Sequence, residues 1–297
     1  MMVTMRIDVA EHSIEMRITQ EFLPTVEARY ALFETALGHS PEITLDINVS
    51  KNTTTADGPW GECVIHNNFL HFFDDSSIGW CDLKHMRGGL SVFPSNPLNP
   101  LSTFLRSIFM LLVMRNNDGI CLHGAAILHN GGVFIFVGPS GAGKSTVSRL
   151  SAGKIVLSDE QVFIKKRGAE FVVFPHPQWG DAQVGTRENK PYPIRGIFKL
   201  VQDKTVFIEP LKVAPIAVAE LFTIPDILLS LASKDALLLT FMDLINTVPY
   251  FALHFLPVPS FWNHLDTLPP LESFRKETSH EKNHTAQVRQ DCLQDCR

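Results

Sequence analysis

The sequence predicts a strand-rich α/β fold with a small α+β module in front of it. Three observations carry this. Short β-branched and aromatic runs outnumber helix-spaced ones along the 297 residues. A Gly-rich turn at 138–143 stands between an apolar run, Val133 to Val137, and a helix-compatible run, Thr146 to Leu150. Pro94, Pro97 and Pro100 punctuate the chain near residue 100, where the two parts should join through a stiff connection. The expected division is a leading module over 1–100, a second domain over 101–275 and a polar, disordered tail over 276–297.

In the leading module, alternation predicts strands at Arg6 to Val9, Ile43 to Val49, Cys63 to Phe73 and Leu90 to Phe93, with one helix near Thr25 to Leu37. Leu101 to Arg115 then reads as an apolar helix whose one charge before its closing Arg115 is Arg106. Ile120 to Leu128 and Val133 to Val137 read as a hairpin whose turn, His129-Asn130-Gly131-Gly132, puts glycine at the tight position. Lys154 to Leu157, Glu170 to Phe174, Ile194 to Leu200, Thr205 to Pro210 and Tyr250 to Leu256 follow as strands, and Ala214 to Phe222 and Asp235 to Thr247 as helices. So many strands per helix is unlike a doubly wound Rossmann sheet.

Strand, Gly-rich turn and helix together spell a chemistry. Gly138-Pro139-Ser140-Gly141-Ala142-Gly143-Lys144-Ser145, followed by Thr146, satisfies G-x-x-x-x-G-K-[ST]. Gly138, Gly141 and Gly143 permit backbone conformations in which successive N–H groups turn inward toward phosphate oxygens. Lys144 can reach β- and γ-phosphates, and the Ser145 hydroxyl can ligate Mg²⁺. The expected cofactors are ATP and Mg²⁺.

Two acids, Asp159 and Glu160, come only fifteen positions after Lys144, so the intervening helix should be about two turns long. An acid at a strand end beside the γ-phosphate can order the metal or take a proton from an attacking hydroxyl. Asp159 is the expected catalytic base, and Glu160 the expected metal ligand or a group supporting one. The loop Pro175 to Lys190 is long and polar, and carries His176, Gln178, Trp179, Asp181, Arg187, Glu188 and Lys190. It should border the acceptor site, with Arg187 or Lys190 offering charge to the phosphate in transfer.

In their order, Leu122-His123-Gly124-Ala125, Gly138 to Thr146, Ser158-Asp159-Glu160-Gln161-Val162 and Ile194-Arg195-Gly196-Ile197 resemble the catalytic domain of HPr serine kinase/phosphorylase over about 75 residues. The resemblance implies the strand-rich fold that this family shares with ATP-dependent phosphoenolpyruvate carboxykinase. It also implies an Asp159 that acts on a protein serine and supporting positions for His123 and Arg195. Glu160 stands where the family has a second Asp, and PIRGIFKL lacks the Glu before Arg. These departures point to a divergent kinase, similar to HPr-kinase-like proteins of which some are associated with ribosomal peptide maturation. Hexamers in the HPr kinases make a homo-oligomer compatible with the resemblance.

Composition narrows the partners. Net charge is −5 and no basic run exceeds Lys165-Lys166-Arg167, which disfavours nucleic acid. Leu101 to Met114 is too short to span a bilayer, Met1 to Gln20 lacks a signal pattern, and five cysteines suit a reducing cytosol, so a cytoplasmic protein without a membrane partner is expected. His280-Glu281-Lys282-Asn283-His284 fits H-E-x-x-H, yet no apolar face surrounds it, and it reads as tail. The sequence favours an ATP- and Mg²⁺-dependent kinase acting on a protein or peptide serine, or on a small alcohol. A nucleotide-binding regulatory module with little catalysis is the alternative, and a carboxykinase-like enzyme ranks last.

Overall fold

The structure, a computed structural model, describes residues 1–38, 40–49, 62–74, 77–93, 98–115, 119–178, 187–211 and 234–269. It is a strand-rich mixed α/β architecture built on two sheets. The expected helix over 214–222, the tail with its H-E-x-x-H run, and Trp179 and Asp181 lie outside the described residues.

Seven strands form the first sheet: β1 (Met2–Val9), β2 (His12–Thr19), β3 (Ile43–Val49), β4 (Glu62–His66), β5 (Phe69–Asp74), β6 (Ser77–Asp82) and β7 (Arg87–Val92), in the order β1-β2-β3-β7-β6-β5-β4. The parallel step from β2 to β3 needs a crossover, and α1 (Leu23–Tyr30) supplies it. The expected helix over 25–37 is shorter, because Ala31–Phe33 tightens to a 3₁₀ turn and Glu34 is extended. β2 was hidden by its charges. Glu15 and Arg17 alternate with Ile14, Met16 and Ile18, all buried, which is the pattern of a strand with one wet face. The single strand expected over 63–73 is a hairpin, since Asn67 and Asn68 both take positive φ (48° and 66°), as a two-residue primed turn requires. β6 also went unforeseen, Gly79 having masked its period.

Helix α2 (Leu98–Arg115) begins three residues before the expected start. Pro100 lies inside its first turn, where a missing N–H costs nothing because that donor has no partner in the helix. Leu101, Phe104, Leu105, Ile108, Phe109 and Leu112 are buried almost completely, so the helix is apolar nearly all round and packs against β2 and β7 of the first sheet and β8 and β11 of the second.

The second sheet contains β8 (Gly119–His129), β9 (Gly132–Val137), β10 (Ile155–Ser158), β11 (Gln161–Arg167), β12 (Glu170–Phe174), β13 (Tyr192–Gln202), β14 (Phe207–Pro210) and β15 (Tyr250–Phe255). The pairings β8-β9-β13-β12-β11 return to β8, forming a closed ring. β8 belongs to two partners on that ring: Gly119 to His123 pair with β11, and Gly124 to His129 with β9. The fork falls at Gly124. A Cβ there would stand 2.8 Å from the Phe136 carbonyl oxygen, so only glycine lets the backbone divide at this point. Among the described residues of the second part the helices are α3 (Lys144–Leu150), α4 (Lys234–Thr247) and α5 (Phe261–Leu265). No described helix is long and apolar enough to cross a membrane.

Candidate functional site

β9 ends at Val137, and the chain turns through 138–143 into the seven-residue helix α3. Gly138, Gly141 and Gly143 take φ of 153°, 80° and 113°, so all three occupy backbone conformations that side-chain-bearing residues rarely adopt. At Gly143 space forbids a side chain as well, because a Cβ would lie 2.8 Å from the Phe255 ring. Gln202 Nε2 donates to the Gly141 carbonyl at 2.8 Å and fixes the outer part of the loop. Lys144 is buried, its Nζ donating to the Gly138 and Pro139 carbonyls at 2.8 and 3.1 Å. Burial holds its pKa below the usual lysine range.

Facing this loop is a cavity of about 410 Å³ lined by His123, Ser140, Gly141, Gly143, Lys144, Ser145, Thr146, Asp159 and Glu160. The acids ride a two-residue turn between β10 and β11, and their side chains part company. Asp159 is buried, with Arg187 Nη2 at 3.7 Å from Oδ1. Burial lowers the Arg187 pKa to about 10, with Asp159 opposing the shift and Arg29 of α1 adding to it. Glu160 is half-buried and receives Arg106 Nη1 of α2 at 2.6 Å. His123 sits beside the Gly124 fork, where the Gly124 N–H donates to the Glu160 carbonyl. Burial, then Lys144, then Arg106 lower its pKa, which favours the neutral imidazole.

The structure therefore brings His123, the loop with Lys144 and Ser145, and both acids around one space. Arg195 stands elsewhere. β13 runs parallel to β9, with Ile194 opposite Val133 and Lys199 opposite Val137, so Arg195 lies at the far end of the strand, roughly 15 Å from the loop at strand spacing. There it donates to the Leu268 and Pro269 carbonyls and lines a second cavity of about 320 Å³. Arg195→Ala should leave nucleotide affinity within two-fold, read by titration calorimetry. It should lower the melting temperature by several degrees through the lost hydrogen bonds.

Of the loop residues, Arg187 reaches the cavity's edge, whereas Lys190 is exposed and stands over the Tyr192 ring. Arg106 was legible only as an odd charge in an apolar helix. That oddity was the signal, because a charge seldom enters such a helix without a partner. Gln202 and Phe255, which brace the loop, carried no signal in sequence.

The residues suit a nucleoside triphosphate in three respects: a loop whose three glycines take positive φ, a cation beside it and a hydroxyl at Ser145. Among the described residues no three His, Cys, Asp or Glu side chains gather to hold a metal by themselves. A magnesium ion would be held by Ser145 with phosphate oxygens and water, the usual sharing for this ion, while Glu160, expected as its ligand, is paired with Arg106.

Residues 99–269 match the family described as SynChlorMet cassette protein ScmC, which is more than half of the chain. The chain belongs to the ScmC family. The ScmC match opens in the first turn of α2 and closes at Pro269, so it contains every residue lining the cavity. Curated proteins yield no match in sequence to this ScmC member. Solved structures that align with it include the Hpr(Ser) kinase/phosphatase from Coxiella burnetii, at 10% identity and a TM-score of 0.27, covering 57% of this chain and 99% of that one.

Proposed function

We propose that the chain is an ATP- and Mg²⁺-dependent kinase that transfers the γ-phosphoryl group to a hydroxyl, most naturally a serine of a protein or peptide. The observation that carries this reading is the single cavity shared by Lys144 and Ser145 on one wall and Asp159 on the other. A site for binding alone needs the first wall only. The motif resemblance to HPr serine kinase/phosphorylase around His123-Gly124, Gly138 to Thr146 and Ser158 to Val162 supports it further.

The residues divide the work as follows. Backbone N–H groups within 140–145 hold the phosphates, and Lys144 leaves its resting carbonyls to offset charge on the transferring group. Asp159 accepts the acceptor's proton as its oxygen bonds phosphorus and the bond to the ADP leaving group breaks. Bound Mg²⁺ would supply charge neutralisation at the phosphate oxygens. Arg106 engages the Glu160 carboxylate, which leaves Asp159 as the carboxylate for proton transfer.

A second reading, a nucleotide-responsive regulatory module, draws on the fact that both acids already face arginines. Labelled ATP with Mg²⁺, offered to the protein in lysate fractions with and without small molecules, separates the two. Label on a macromolecule or small alcohol establishes the kinase; tight binding with no label transferred in any fraction establishes the module.

A further inference from the structure

We propose that the second cavity, at the end of β9 and β13 away from the nucleotide loop, binds a free amino acid with an apolar side chain: Arg195 takes its carboxylate, Asp266 its ammonium group, and Phe134 with Leu265 its hydrocarbon. The site is separate from the nucleotide cavity and stands independently of the kinase reading.

Arg195 is the unusual member of this cavity. It crosses the β8–β9 hairpin over Gly132, where a Cβ would come within 3.1 Å of the Arg195 Cβ. Its Nη2 donates to the Leu268 and Pro269 carbonyls, the first at 3.0 Å. A guanidinium carries five N–H donors, so those of Nε and Nη1 remain. Among the described residues no carboxylate pairs with Arg195, and burial alone lowers its pKa. A partly desolvated guanidinium held by neutral carbonyls keeps its whole charge for an anion, and its planar donors suit a carboxylate.

Asp266 lines the same space from the C-terminal end of α5, and a relay orients it. Lys154 Nζ donates to His129 Nδ1 at 2.7 Å, so that nitrogen accepts and the ring proton sits on Nε2. From there the ring donates to Asp266 Oδ1 at 2.6 Å, which also receives Asn130 Nδ2 at 3.2 Å. Asn130 and Gly131 take positive φ (49° and 76°) at the corner of the hairpin, which brings this amide to the acid. The Trp262 ring backs the relay, 4.5 Å from Lys154 Nζ and 4.8 Å from the His129 ring. Both donors converge on Oδ1, so among the described residues Oδ2 is left for a guest. Phe134, Ile194 and Leu265, each at most 4% exposed, supply an apolar wall, and about 320 Å³ accommodates a small hydrocarbon chain. A phosphate would meet the Asp266 carboxylate as a like charge, and a bare amine would leave the Arg195 charge unanswered. A ligand bearing both charges and an apolar side chain answers all three walls.

Titration calorimetry of the full-length protein with L-leucine, 4-methylpentanoate and 3-methylbutylamine tests the proposal, because the second probe lacks the ammonium group and the third the carboxylate. The expected result is a leucine dissociation constant of about 1 mM or lower, with each truncated probe at least about ten-fold weaker. The Gly131 and Gly132 amide resonances should move with leucine while those of Gly141 and Gly143 stay. Asp266→Asn should bring leucine to the affinity of 4-methylpentanoate, and Arg195→Gln to that of 3-methylbutylamine, with a cooperative thermal melt as the check on folding. Should Arg195→Gln not fold, Asp266→Asn and the two truncated probes carry the same decision. Absence of leucine binding up to about 10 mM overturns the proposal. So do resonances that move at the nucleotide loop instead, or a truncated probe that binds as tightly as leucine.

Discussion

Asp159→Asn is expected to reduce phosphoryl transfer by about 10³-fold or more while Mg-ATP affinity stays within a few-fold. Asparagine keeps the shape and one acceptor oxygen but cannot take a proton at neutral pH. The nucleotide cradle is built from 138–145 on the opposite wall, so it loses nothing. A second consequence is stability. Arg187 is 10% exposed in its side chain and stands 3.7 Å from a carboxylate that is 1% exposed. Neutralising the carboxylate leaves a buried guanidinium beside an amide, which should cost about 1–3 kcal/mol in urea unfolding. Arg187→Gln added to Asp159→Asn should recover part of that loss, a non-additivity that reports their contact. Full transfer activity in Asp159→Asn would remove the residue from the mechanism.

Acid should weaken the fold through His176. Its folded-state pKa is depressed from 6.5 to about 4, burial being the largest cause. Between those values the unfolded chain takes up a proton that the folded chain refuses. Stability therefore rises with pH across this window. Its contribution is intact above pH 6.5, falls as pH drops toward 4, and levels off below, for a total of about 3 kcal/mol. Urea midpoints measured from pH 7 to pH 4 should follow that course, and His176→Gln should flatten it. An equally steep course in the variant would assign the acid sensitivity to other groups.

Residues 133–159 were legible because each level of structure agreed there: apolar run, glycine positions, short helix and acids all called for the same turn. Asp159, Lys144, Ser145 and His123 meet as a consequence of that local order. Arg195 was misplaced because a motif gives sequence distance and not strand direction. β13 runs parallel to β9, which carries its first residues away from the loop. The bond from Arg106 to Glu160 spans 54 positions, and nothing local announces it. β2 and β6 escaped for a different reason: solvent-facing charge and glycine obscured a two-residue period that burial makes plain.

The larger apolar cluster passes from Ile14 and Leu45 through Phe104 and Phe109 to Phe163 and Phe241 without a break. Oil continuous across both sheets means that the stretch shared with relatives is smaller than the piece of matter that can fold. A chain started at residue 99 would turn one side of α2 out to water and would tend to stick to its neighbours. What descends as a family and what melts as a body have different edges in this molecule.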